Sequence, residues 1–137
     1  MFGNTKAFSG FSVQDLEVAK TFYGDTLGLD IAEVPQGLIL KIAGSENGIF
    51  VYPKPDHTPA SFTILNFPVD DIDAAVQALT DKGVTFERYP DMTDDKGIAR
   101  GIAQHRGPDI AWFKDPSGNI LSILHDDDAS DSSETSN

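Results

Sequence analysis

The stretch that decides the fold is Phe8-Ser9-Gly10-Phe11-Ser12-Val13-Gln14-Asp15-Leu16-Glu17-Val18-Ala19, which returns in outline as Ile64-Leu65-Asn66-Phe67-Pro68-Val69-Asp70-Asp71-Ile72-Asp73-Ala74-Ala75. At a common offset of 56 positions, Phe11 matches Phe67, Val13 matches Val69, Asp15 matches Asp71, Leu16 matches Ile72, Glu17 matches Asp73 and Ala19 matches Ala75. In both copies an apolar, strand-like segment runs into Asp, and the apolar period then changes from two to about 3.6. The Asp is the predicted helix N-cap, with Glu17 or Asp73 behind it at the positive end of the helix dipole. Gly28 and Gly83 stand where a helix stops, because glycine takes the left-handed conformation without steric cost.

Outward from the first copy, 6–13 reads as a strand with Phe11 and Val13 on one face and Phe8, Gly10 and Ser12 on the other. Residues 15–27 read as a helix whose Leu16, Ala19, Phe22, Tyr23 and Leu27 form one apolar stripe. Strands are expected at 28–34, 38–42 and 49–52, separated by turns at Pro35-Gln36-Gly37 and at 44–48. Pro53, Pro55 and Pro59 mark a stiff linker. The second copy reads as a strand at 61–69, a helix at 71–82, a strand at 84–89, a long polar loop at 90–107, and a hairpin of 110–114 with 119–125 about Asp115-Pro116-Ser117-Gly118. Each half is therefore βαβββ. The fold class is α+β, with two such units, 6–53 and 61–125, in a single domain over 1–125.

At 137 residues and 39% hydrophobic content the chain can bury one core. It shows no run of 18 apolar residues and no signal-peptide pattern, so no membrane partner and a cytoplasmic location are expected. The absence of Cys excludes disulfides and thiolate chemistry. The net charge is −12, but residues 126–137 hold five acids and no base, leaving −7 for the body. That segment is expected to be a disordered acidic tail, since it has too little apolar surface to offset its ordering entropy. The acidic surface repels phosphate backbones, and nucleic acid is not an expected partner.

Val13-Gln14-Asp15-Leu16-Glu17 with Phe22-Tyr23 and Leu27-Gly28 in the first unit, and Trp112-Phe113-Lys114-Asp115-Pro116-Ser117-Gly118-Asn119 in the second, resemble the vicinal oxygen chelate superfamily over about 6–125. That superfamily includes glyoxalase I, ring-cleaving dioxygenases, fosfomycin-modifying enzymes and bleomycin resistance proteins. The resemblance implies that each unit curls into a half-barrel with its helix outside, that the sheet encloses a ligand cleft, and that the chain forms a homodimer. Enzymes of the superfamily hold a divalent metal with His, Gln or Glu from the first and last strands of each unit. Carried onto this chain, those positions fall on Phe8 and Ile64 for the first strands, and on or beside Phe50 and on Ser122 for the last. None of the four is a His or a carboxylate of the kind such cations take, so no metal and no cofactor are expected.

Several other residues could line a cleft. Tyr52 shares parity with Phe50, and Trp112 shares parity with Lys114; either could stack a planar ligand or belong to the core. Asn66 shares a face with Ile64 and is expected either to be tied to backbone or to meet a ligand. Arg100 is a candidate anion contact, and His105, in the long loop beside Arg106, a polar contact or acid/base. His57 in the linker and His125 at a strand end are expected to be solvated, as are the Asp94-Asp95-Lys96 and Asp126-Asp127-Asp128 runs. Gly97-Ile98-Ala99-Arg100-Gly101 lacks the context of a phosphate cradle. The favoured reading is a metal-free binder of a small, partly aromatic or cationic organic molecule. The alternatives are an enzyme of lyase or dioxygenase type with unusual metal ligands or metal-free acid/base groups, and a structural or regulatory partner.

Overall fold

The computed structural model describes residues 1–127. The chain forms two compact units, one of 1–61 together with 115–119, the other of 62–114 with 120–127. The residues from 128 on, which hold most of the expected tail, lie outside the described part.

In the first unit, β1 (Ser9–Val13), β2 (Asp30–Val34), β3 (Gly37–Lys41) and β4 (Ile49–Pro53) form a sheet in the order β1-β4-β3-β2. β1 runs parallel to β4 and the other pairs are antiparallel. Asp15 caps α1 (Leu16–Thr21) by accepting from the amides of Glu17 and Val18, at 3.0 and 3.1 Å. The expected helix over 15–27 does not continue as one α-helix. It widens into a π-helical turn at Phe22–Thr26, where the Leu27 amide donates to the Phe22 carbonyl at 2.9 Å. Gly28 then takes φ 76°, a left-handed value open to glycine. Tyr23 is buried with Val13, Ala19, Leu38, Leu40 and Val51, so one sheet face is covered by the helix. Strand one is shorter than expected, and Phe8 precedes it at 60% exposure.

The second unit repeats the topology. β5 (Thr63–Pro68), β6 (Ile98–Arg100), β7 (Asp109–Lys114) and β8 (Ile120–His125) are ordered β5-β8-β7-β6, again with first and last strands parallel. Asp71 caps α2 (Ile72–Asp81) through the Ala74 amide at 3.0 Å, and Gly83 follows at φ 94°. Ile72, Val76, Val84, Phe86, Ile98, Ala111, Phe113, Leu121 and Ile123 make its core. Fully burying one such side chain contributes about 2 kcal/mol.

Two expectations fail in this unit. Residues 84–89 are not a strand: Phe86 makes one antiparallel bridge to Phe113, and the Glu87 amide donates to the Trp112 carbonyl at 2.8 Å. The edge of β7 beyond that bridge belongs to β6, inside the segment read as a long loop. Asp94 makes this possible. Its Oδ1 accepts from the Lys96 and Ile98 amides at 2.9 Å each, and its own amide donates to the Ile98 carbonyl, turning the chain back onto β7. The run Asp94-Asp95-Lys96 is thus a built turn rather than a simple solvated stretch.

Candidate functional site

Each sheet leaves the face opposite its helix only partly covered. In the first unit this face carries Phe50 and Tyr52, half-buried and stacked with ring centroids 5.5 Å apart at 22°. Phe50 stands between Gly10 on β1 and Ile39 on β3, and Tyr52 is paired with Ser12. Gly10 has no side chain to shield the Phe50 ring, and a Cβ there would come within 3.0 Å of the Phe50 carbonyl oxygen. Ser12 Oγ lies 2.7 Å from His57 Nδ1, and His57 Nε2 lies 3.0 Å from the Ser117 carbonyl. A carbonyl only accepts, so Nε2 carries a proton, and in the neutral imidazole Ser12 then donates to Nδ1. His57, expected to be solvated, is instead held at both nitrogens.

In the second unit Asn66, Ser122 and Trp112 form one row across β5, β8 and β7. Ser122 is buried, and its hydroxyl is hydrogen-bonded to Asn66 Oδ1. Asn66 is therefore tied to a side chain, not to backbone. Trp112 is half-buried and meets Tyr89 edge to face at 5.5 Å, whereas Phe113 points into the core against Phe86. Ile64 sits in a β-bulge between Thr63 and Leu65.

The remaining candidates are placed otherwise. Arg100 is bound to two carboxylates, Asp73 at 2.8 Å and Asp94 at 2.9 Å. The Arg100 hydrogen bonds hold Asp73 down at about 2, below the usual carboxylate range. His105 is exposed at φ 54°, closing the 3₁₀ turn Ile102–Gln104. His125 is not frayed: its Nδ1 lies 3.0 Å from the Val69 carbonyl and its Nε2 3.1 Å from Asp127.

The turn Asp115–Asn119 holds what sequence reasoning missed. Asp115, 4% exposed, accepts through Oδ1 from the Ser117 and Asn119 amides and through Oδ2 from the Tyr23 hydroxyl at 2.6 Å and Asn119 Nδ2 at 3.0 Å. Asn119 Nδ2 also donates to the Ser12 carbonyl, and Ser117 Oγ accepts from the Gln14 amide. Burial, and then the Asp115 charge, push the Tyr23 phenol well above its ordinary value. The only sequence signal was Asp-Pro-Ser-Gly-Asn itself, which read as a turn; its distant partner Tyr23 read as core.

A divalent metal does not fit the positions the superfamily uses. Phe8, Phe50 and Ile64 offer no donor, Ser122 offers a hydroxyl already engaged, and among the described residues no group of three His, Cys, Asp or Glu is close enough to hold an ion. The family model described as the Glyoxalase/Bleomycin resistance protein/Dioxygenase superfamily matches residues 8–123. The chain belongs to that superfamily. Among solved structures, this superfamily member is 27% identical to TnmS3, an antibiotic binding protein from Streptomyces sp. CB03234, over 91% of this chain and 98% of that one, with a TM-score of 0.65. A glyoxalase/bleomycin resistance protein from the same Streptomyces is 26% identical over 88% and 99%, at 0.58. A glyoxalase/bleomycin resistance protein/dioxygenase from Alicyclobacillus acidocaldarius, 18% identical over 93% and 95%, shares the fold at 0.68. No curated protein matches the chain. Among the described residues no helix is long and apolar enough to cross a membrane.

Proposed function

We propose that this superfamily member binds a small, partly aromatic or cationic organic molecule, without a metal, on the helix-free sheet faces. The observation that carries the reading is the half-buried Phe50 ring, stacked on Tyr52 beside an open Gly10, at or beside the position where the resemblance would put a metal ligand. The antibiotic-binding relative supports it. Covering about 200 Å² of apolar ligand contributes roughly 5 kcal/mol before association costs, so polar contacts must add to it. The acidic body, −7 without residues 126–137, steers cationic or neutral ligands over anions. A cytoplasmic homodimer is part of the proposal.

Incubation with zinc, nickel, manganese and iron(II), followed by dialysis, is expected to leave metal far below one ion per chain. Near-stoichiometric metal would return a metalloenzyme to first place. A second reading, a metal-free enzyme, is favoured by the Ser12–His57 pair, whose hydroxyl proton is aimed at an oriented imidazole. Turnover of any ligand that is lost in Ser12→Ala while binding persists would establish it.

A further inference from the structure

We infer that Asn66 is a hydrogen-bond donor for the carbonyl oxygen of a neutral, planar aromatic ligand seated on Trp112, an inference that rests on the binding reading above. Ser122 is 0% exposed, and the partner recorded for its hydroxyl is Asn66 Oδ1. A buried hydroxyl must place its proton on an acceptor, since leaving it unpaired forfeits the desolvation cost of the group. Ser122 is therefore the donor and the Asn66 amide presents its carbonyl inward. Asn66 itself is exposed and shares its row with Trp112, so its NH₂ group, not used by Ser122, is the one open to a ligand on that face. An amide nitrogen only donates, so the matching ligand atom is an acceptor.

The charge of that acceptor follows from the surroundings. Arg100 and Lys114, the Arg and Lys of this sheet's strands, face carboxylates: Arg100 is bound to Asp73 and Asp94, and Lys114 lies 3.8 Å from Glu87. With these cations engaged and the whole chain strongly acidic, a carboxylate or phosphate ligand gains nothing here, whereas a ketone or amide oxygen does. Trp112, with Tyr89 against its edge, supplies the flat apolar surface for the ring that bears the carbonyl.

Trp112 is the single tryptophan of the chain, so its fluorescence reports this face alone. The probes are 2-acetylnaphthalene and 2-isopropenylnaphthalene, which differ by C=O against C=CH₂ at nearly constant shape. Saturable quenching by both, with the ketone bound about fivefold more tightly, is the expected result in the natural chain. Asn66→Ala should equalise the two by weakening the ketone alone, and Asn66→Asp should reverse the preference because a carboxylate repels the carbonyl oxygen. Equal affinities in the natural chain, or a preference untouched by both variants, would overturn the donor role and leave the binding reading standing. Quenching by neither probe, in protein whose circular dichroism is native, would overturn the donor role together with ligand binding at Trp112.

Discussion

The two units share a topology but are organised around opposite kinds of acid. In the first, Asp115 is almost wholly buried and gathers Tyr23, Ser117 and Asn119. In the second, Asp73 on α2 is 44% exposed in its side chain and joins Arg100 and Lys96 in a surface network with Asp94. A buried carboxylate whose partners are neutral donors makes each of them costly to strand, because no water can replace a missing acceptor. An exposed ion pair is screened, and water takes over when it breaks. The same βα scaffold therefore draws specificity from hydrogen bonding in one copy and modest, salt-sensitive support from charge in the other.

The sharpest way to break this contrast is Asp115→Ala, which strands the Tyr23 hydroxyl and the Ser117 and Asn119 donors together. A loss of about 4 kcal/mol in urea unfolding is expected, nearly independent of salt. A loss below 1 kcal/mol would mean that the buried acid does not organise the unit. Tyr23→Phe removes one donor and keeps the ring, so about 2 kcal/mol is expected.

On the other side of the comparison, Asp73→Asn should lose about 1 kcal/mol at neutral pH, after discounting for its exposure. The folded carboxyl, near 2, lies below its ordinary 3.8, so its stabilisation is present above 3.8 and fades as pH falls through the folded value. The gap between wild type and Asp73→Asn should accordingly close in acid unfolding experiments, and shrink in high salt; a gap that persists at pH 2 would contradict the ion-pair account. The smallest effect is expected at His125, whose bond to the Val69 carbonyl, followed by that to Asp127, raises its pKa above the ordinary 6.5. Its contribution is complete below that value and is lost as pH rises through the raised one, so His125→Gln should flatten a shallow stability decline on the alkaline side. An NMR titration midpoint below 6.5 would be inconsistent with it.

The free faces extend the contrast. Gly10-Phe50-Ile39 in the first unit and Asn66-Ser122-Trp112 in the second are equivalent rows in strand order. The first is apolar and opened by a glycine; the second places an amide beside an aromatic. The 56-residue repeat carries Gly10 onto Asn66 but carries Phe50 onto Arg106 and not onto Ser122, so the pairing of Phe50 with Gly10 and of Ser122 with Asn66 came from the strand registers of the folded chain.

The chain's own pattern determined the duplicated strand-to-helix unit, both N-caps, the glycine stops and the parity that sets Phe11 and Val13 against Gly10 and Ser12. These depend on neighbours within a turn or a pleat, and such preferences are written locally. Only the tertiary structure decided the π-helical turn at Phe22–Thr26, the replacement of strand 84–89 by a single bridge, and the partners of Asp115, Arg100 and His57. A turn acid such as Asp115 has the same local signature whether it faces water or a tyrosine 92 positions away. Burial is what turns that signature into a constraint, and burial is a property of the assembled fold.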